Sequence, residues 1–453
     1  MGRARNLIWR ASAALLLVGT LACSRDQPAA GLALDARADT ASWPLKGNGP
    51  SGGYYAALDD IAAGNVASLG LAFEFRDFTV RGRTHHGMES NPVMVDGTLY
   101  FSGPWGSAYA VDARDGTHEW TFDPDVDGQY GRLACCDIVN RGVAVARGKV
   151  FVGSLDGYLY ALDTRTGKPV WKVDTFQDRH WNSTITGAPY VAGDKVLIGS
   201  AGADMGSRGY VSAYDIATGR LAWRFWAVPG AGPDETPDVA LARKTWPADT
   251  RWELGMGGNA WDGLAYDPET NTAFLALGNG GPHAAWLRSK TGKITDELFL
   301  SSIVAVDAAT GRMKWYYQTT PGDAWDFAAT APMVLAELTI DGRRRKVLMQ
   351  APKNGIFYVL DRETGKLLRA DPFTRVNWTS GVNLKTGRPT INPAASYRDG
   401  PAIVFPSAAG GHAGNRWRSA RAPASSICRS MTPRCATLPI AAPHSAPARS
   451  IRR

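Results

Sequence analysis

A-L-D-T-R-T-G-K-P-V-W, residues 161–171, is one copy of a phrase that recurs along the chain. The other full copies are A-V-D-A-R-D-G-T-H-E-W at 110–120, A-Y-D-I-A-T-G-R-L-A-W at 213–223 and A-V-D-A-A-T-G-R-M-K-W at 305–315. Each places a Gly four residues and a Trp eight residues after its Asp, so the anchors are Asp112/Trp120, Asp163/Trp171, Asp215/Trp223 and Asp307/Trp315. Degenerate copies start at Asp267, where D-P-E-T-N lacks the Gly, and at Asp361, where D-R-E-T-G lacks the Trp. The six Asp positions are separated by 51, 52, 52, 40 and 54 residues. A near-constant period of this size marks a repeat architecture.

The local chemistry of one repeat says what it builds. K-V-F-V-G at 149–153 and G-Y-L-Y-A-L at 157–162 have strand composition. The T-G or D-G pair supplies a tight turn, with Gly taking a backbone angle that other residues resist. The Trp then returns to pack on the neighbouring sheet. Four short antiparallel strands per repeat make one blade of a β-propeller, and the usual solenoid periods are shorter. The sequence therefore predicts an all-β propeller, with six blade signals between residues 90 and 370.

Two further features bear on compartment and chemistry. Arg3, Arg5 and Arg10 precede an apolar run, Ala11 to Ala22, too short to span a membrane and fitted to a signal peptide. Thr20-Leu21-Ala22-Cys23 leaves two forms of processing open: lipoprotein-type cleavage, with a lipid on Cys23, or ordinary cleavage nearby. Either delivers the chain to an oxidising compartment, the periplasm, where a disulfide persists. No later stretch is long and apolar enough for a transmembrane helix. The second feature is the adjacent pair Cys135-Cys136, in G-R-L-A-C-C-D-I-V-N-R-G. Adjacent cysteines bond each other only through a cramped eight-membered ring, so such a bridge is seldom chosen for stability and implies an unusual turn.

The Cys-Cys pair, the D-x-x-T-G-x-x-x-W repeats, G-A-D-M-G-S-R-G-Y-V, P-G-D-A-W-D-F-A and V-L-M-Q-A-P-K-N-G together resemble the quinoprotein alcohol dehydrogenases, above all the quinohaemoprotein group. The resemblance runs from about Trp43 to His412. It implies a periplasmic eight-bladed propeller holding pyrroloquinoline quinone (PQQ) and a metal ion on its axis, with about six of the eight blades in this chain. Transferred by position, Cys135 and Cys136, as a vicinal disulfide, would lie over one face of the quinone and Trp261 would stack on the other. Glu89, Arg141, Thr186, Gly202 and Ala203 would hold its carboxylates and carbonyls, and Lys353 would donate to its reactive oxygens. Asp204, Asn279 and Asp326 match the metal ligands, all hard oxygen donors suited to Ca²⁺. Asp326 matches the general base that takes the hydroxyl proton while hydride passes to the quinone, turning an alcohol into an aldehyde. The electrons then go to a cytochrome c. A related lanthanide-using group carries a second Asp two residues after the base; Ala328 stands there in this chain, which favours Ca²⁺.

Taken singly, these residues have plainer roles: an Asp in D-A-W-D-F caps a turn, Trp261 fills a core and Lys353 meets solvent. Their joint order and spacing carries the assignment. Asp204 stands where the family usually has Glu, and Asn259 replaces a usual Thr. Two other functions share the blades. One is a non-catalytic propeller lipoprotein that scaffolds outer-membrane assembly, which has no need of Cys135-Cys136, Asp326 or Lys353. The other is a quinoprotein for sugars or polyols.

The resemblance stops after His412. Residues 413–453 contain eight Arg and no Lys, Asp or Glu, so the net charge of +8 belongs wholly to this tail. A basic balance ordinarily points to nucleic acid, but residues 1–412 sum to zero, so no nucleic-acid partner is expected. Read one base out of frame, with suitable synonymous codons, the residues from Ala413 spell W-Q-P-M-A-F-S-P-R-T-G-L-V-Y-M-P, which fits the family's next blade. The expected organisation is a signal peptide at 1–22, a linker at 23–42, an incomplete propeller at 43–412 and a frameshifted tail at 413–453. Cys428 and Cys435 form no haem c motif, no haem c is expected in this chain, and the chain as it stands is expected to be inactive.

Overall fold

The structure, a computed structural model, describes residues 42–77 and 88–412 apart from positions 50, 51, 55, 57, 59, 234 and 235, with backbone alone at 418–419, 426–427 and 436–437. The export signal, nearly all of the linker with Cys23, and the side chains of 413–453 lie outside the described residues. No described helix is long and apolar enough to cross a membrane.

Among the described residues the dominant unit is the four-stranded antiparallel sheet, and there are five. The first comprises Val93–Val95, Thr98–Ser102, Ala108–Asp112 and His118–Phe122; the second Ala144–Ala146, Lys149–Gly153, Tyr158–Asp163 and Pro169–Asp174. The third comprises Tyr190–Ala192, Lys195–Gly199, Tyr210–Asp215 and Leu221–Trp226. The fourth comprises Leu264–Asp267, Thr272–Ala276, Ser302–Asp307 and Met313–Gln318, and the fifth Met333–Ile340, Arg343–Gln350, Ile356–Asp361 and Leu367–Pro372. Inner strands such as Tyr158–Asp163 are buried at all four central positions, whereas outer strands such as Pro169–Asp174 have no buried residue and are mostly exposed. Each sheet therefore packs its inner part between neighbours and leaves its fourth strand at the rim.

The recurring phrase is the turn between third and fourth strands. Asp163 Oδ1 accepts from the backbone N of Arg165 and Thr166 and from Thr166 Oγ1 at 2.9–3.2 Å, and Asp215 and Asp307 repeat the pattern. Such Asx turns satisfy backbone donors that the hairpin leaves unpaired. The glycines follow with φ of +66° (Gly167), +72° (Gly219) and +72° (Gly311). Each Trp then reaches one sheet onward. The indole N–H groups of Trp120, Trp171, Trp223 and Trp315 donate to the carbonyls of Thr164, Ile216, Ala308 and Arg362, each the residue after the next sheet's Asp. A Cβ on Gly167, Gly219, Gly311 or Gly365 would lie 2.5–2.9 Å from the ring of that same Trp. Glycine is thus required twice over, for its backbone angle and for the indole lying on it. Phe73 fills the corresponding position over Gly116 of the first sheet.

The six signals fall on five sheets, for a physical reason. Asp267 and Asp307 belong to the same sheet: Asp267 closes the hairpin between its first and second strands, and Asn271, at φ +48°, takes the place of Gly. In a four-stranded antiparallel sheet the 1–2 and 3–4 hairpins share one end, so both use the same turn chemistry. A further copy is N-L-K-T-G at 383–387, where Asn383 Oδ1 accepts from Lys385 N and Thr386 N in a hairpin joining Thr379–Val382 to Pro389–Ile391.

Candidate functional site

If the hairpins occupy one end of the sheets, the opposite end is reached by the segments entering first strands and by the loops joining second to third strands. Every expected site residue lies on one of these. Glu89, Cys135, Cys136, Arg141, Thr186, Trp261 and Asp326 precede first strands; Gly202, Ala203, Asp204, Asn279 and Lys353 lie between second and third strands. Blade topology alone therefore gathers residues separated by up to 264 positions at one end of the propeller.

The residues form two groups. In the first, Arg141 is central: its guanidinium donates to Thr186 Oγ1 at 2.8 Å and Thr186 O at 3.3 Å and pairs with Glu89 Oε2 at 2.9 Å. The same guanidinium lies 4.8 Å from the centroid of the Trp261 ring. The Trp261 backbone is wedged close to Gly187, where a Cβ would stand 2.6 Å from Trp261 O. A planar cation fixed beside an indole suits a flat anionic ligand.

The second group holds the acids. Lys353 Nζ donates to Asp326 Oδ2 at 2.5 Å, and His283 Nε2 is hydrogen-bonded to Asp204 Oδ1 and 4.0 Å from Asp326 Oδ1. Asn279 Nδ2 lies 3.4 Å from Asp204 Oδ1. Burial pushes the Asp326 carboxyl up to about 6, against the opposing pull of Lys353 and His283. Burial also acts upward on Asp204, but the His283 hydrogen bond and charge prevail and its carboxyl lies below the ordinary range. His283 itself is held above its usual value: burial lowers it, and Asp204 and Asp326 more than restore it. Asp326 adopts φ +64°, a left-handed conformation that for a non-glycine residue is uncommon and clusters at functional sites.

Cys135 and Cys136 are free thiols with Sγ atoms 2.7 Å apart, and the Cys136 thiol lies within electrostatic reach of Asp204, Arg141 and Asp326, which joins the two groups. Gly202 and Ala203 shape the backbone beside Asp204: a Cβ on Gly202 would meet Asn182 O at 2.4 Å, and one on Gly281 would meet Ala203 O at 2.1 Å. Asn259 is fully buried and bonded to Ser200 and Ser207, so its amide supports the loops and does not enter the site.

The donors suit the groups the family holds. Asp204, Asn279 and Asp326 offer two carboxylates and one amide, oxygen chemistry that a hard divalent cation takes. No three His, Cys, Asp or Glu side chains converge as a metal nest among the described residues. Arg141 and Lys353 supply the positive charge a tricarboxylic quinone requires. His283 is the residue sequence reasoning missed: a lone His after Pro282 has no spacing signal, and only the loop geometry brings it to the acids.

Comparison with known proteins gives a consistent result. Residues 43–371 match the family described as glucose/ethanol/alcohol dehydrogenase, beta-propeller domain. The chain is 48% identical over 406 residues to quinohemoprotein alcohol dehydrogenase ADH-IIG of Pseudomonas putida, covering 88% of this chain and 56% of that protein. It is 42% identical over 374 residues to the 1-butanol dehydrogenase (cytochrome c) of Thauera butanivorans, covering 81% of this chain and 52% of the relative. The crystal structure of quinohemoprotein alcohol dehydrogenase from Comamonas testosteroni superposes with a TM-score of 0.81 at 44% identity, over 85% of this chain and 57% of that one. The chain spans about half the length of the curated relatives it matches.

Proposed function

The chain belongs to the PQQ-dependent alcohol dehydrogenase β-propeller family, and from that premise we propose that it carries the site of a periplasmic, PQQ- and Ca²⁺-dependent oxidation of an alcohol to an aldehyde. The observation that carries this reading is the gathering, at one end of the sheets, of Arg141 over Trp261, the Cys pair and the buried Asp326–Lys353 pair. Trp261 and Cys135-Cys136, the latter oxidised to a vicinal disulfide in the periplasm, would bound the two faces of the quinone. Arg141, with Glu89 and Thr186 bracing it, would hold a carboxylate, alongside the backbone of Gly202 and Ala203. Asp204, Asn279 and Asp326 would ligate Ca²⁺. When bound, PQQ supplies the two-electron acceptor and Ca²⁺ the Lewis acid.

The chain's own part is to position the alcohol and move its proton. Burial makes the Asp326 carboxyl more basic than an exposed aspartate, which suits a general base. Lys353, bonded to Asp326 Oδ2, holds the carboxylate that would take the substrate's hydroxyl proton. The ammonium of Lys353 also places positive charge where a quinone oxygen gains electrons. Relatives named for alcohols and for cytochrome c support a small alcohol as substrate and a c-type cytochrome as acceptor.

The test is to incubate the chain with PQQ and Ca²⁺, remove free cofactor and measure the quinone retained, and to follow alcohol oxidation with an artificial electron acceptor across alcohols, polyols and sugars in a chain whose reading frame is restored beyond His412. Quinone retained in one-to-one ratio and lost with a calcium chelator is the expected result. A folded chain that retains no PQQ would overturn the proposal.

A further inference from the structure

The described residues 43–49 and 52–54 form a strap that touches the first, second and fifth sheets and the segment entering the fourth. Trp43 exchanges backbone hydrogen bonds with Met94 of the first sheet at 2.6 and 2.9 Å, and Pro44 O accepts from Val145 N of the second at 3.4 Å. Lys46 Nζ donates to both carboxylate oxygens of Asp262, just before the fourth sheet, at 2.6 Å for Oδ2. Gly52 lies so near the fifth that a Cβ would be 2.6 Å from Met333 O. Leu45, between these contacts, is buried in the central core cluster.

Lys46 and Asp262 are 216 residues apart in sequence, and their side chains are only 11% and 8% exposed. A buried ion pair adds little net stability over an apolar pair of the same shape, whereas it does fix geometry. The geometry fixed here is that of the neighbouring residue. Trp261 directly precedes Asp262; its backbone is stopped on one side by Gly187 and its ring lies beside the Arg141 guanidinium. Burial alone would push the Asp262 carboxyl up, yet Lys46 first and Arg141 second hold it below the ordinary range, so one carboxylate links the strap to both members of the Trp261–Arg141 pair.

We propose that Lys46 is a positioning residue: by clamping Asp262 it sets the plane of the Trp261 indole, so the quinone face is complete only when the strap is seated. This rests on the reading of Trp261 as a quinone-stacking residue. Lys46 touches neither the quinone nor the substrate in this role; it acts through Asp262.

The experiment compares PQQ binding by the unaltered full chain, Lys46→Arg and the double variant Lys46→Met/Asp262→Asn, using calorimetry and the absorption spectrum of bound quinone, with thermal unfolding in parallel. The double variant removes both buried charges together, so it keeps its fold and unfolds near the unaltered temperature. Its PQQ dissociation constant should nevertheless rise about ten-fold or more, with a shifted bound-quinone spectrum, as loss of a supporting shell does elsewhere. Lys46→Arg should restore affinity to within about three-fold, because the guanidinium can make the same two-oxygen contact. A purely structural pair would move the unfolding temperature and leave affinity and spectrum alone. A folded double variant with the unaltered dissociation constant and spectrum overturns the assignment. Should the double variant not fold, Lys46→Met/Asp262→Leu, which leaves neither a buried charge nor an unpaired polar group, carries the same expectation and the same refutation. Failure of the unaltered chain to bind PQQ would refute the site reading itself, and this inference with it.

Discussion

The two ends of the sheets obey different rules. At the hairpin end every sheet carries the same Asp and the same left-handed Gly, the first four carry the same inter-sheet Trp, Thr completes most of the Asx turns, and the contacts repeat along the chain. At the opposite end no two sheets contribute alike: one gives Arg141, another Asp204, another Asn279, another Asp326 and Lys353. Repetition is what stability asks for, because the same inter-sheet joint serves everywhere. Chemistry asks for the reverse, since a cation, a base and a stacking plane are needed once each. The propeller meets both demands by giving each its own end.

If that division holds, mutations at the two ends separate activity from stability. The largest expected effect is at the site: in a chain whose reading frame is restored beyond His412, Asp326→Asn should lower kcat by about 10²–10⁴-fold once PQQ and Ca²⁺ are loaded, with the denaturation midpoint moving less than for the stitch mutations because a hydrogen bond to Lys353 is kept. Equal losses of kcat and stability would blur the two ends into one. Next comes the stitch itself. Trp223→Ala removes a buried indole and its bond to Ala308 O, at a cost of about 3–5 kcal/mol in urea titrations, while PQQ affinity in the folded fraction is retained.

Two glycines sharpen the comparison within the hairpin end. Gly311 and Gly342 have φ of +72° and +73°, but a Cβ on Gly311 would lie 2.6 Å from the Trp223 ring and one on Gly342 would meet nothing within 4 Å. Gly342→Ala should therefore cost about 1–2 kcal/mol, the backbone term alone, and Gly311→Ala about 2–4 kcal/mol, because the indole must also give way. Similar losses at both would show that the Trp contact is slack. The smallest effect concerns pH. Asp262 has a folded-state pKa below its ordinary value, so its contribution is present above that ordinary value and is lost as pH falls through the lowered one. The Lys46→Met/Asp262→Asn variant should therefore show a flatter acid limb of stability below about pH 4.

Much of the hairpin end is legible in the sequence, because an Asx turn, a Gly and a Trp at fixed offsets are local chemistry. The same locality explains the two departures. D-P-E-T-N at Asp267 reports a hairpin without saying which one, and the fourth sheet uses that turn twice. N-L-K-T-G at 383 hides its kinship because Asn does the work of Asp. The site end is legible only through resemblance. Nothing local marks Asp326 or Asn279 as partners; loops from different sheets bring them together. His283 and Lys46 escape both routes. Each acquires its role from a partner 79 or 216 residues away, a relation no short pattern records.

The direction of the Trp contacts also sets an order in time. Each of the four repeat indoles docks on the turn of the sheet that follows it in the chain, never on one already made. A chain that emerges N-terminus first, at a translocation pore as at a ribosome, thus exposes one sheet whose Trp has no seat until 44 to 85 more residues emerge. The nascent propeller grows with one unfinished seam at its leading edge, and that travelling apolar ring is where a chaperone would find its handhold.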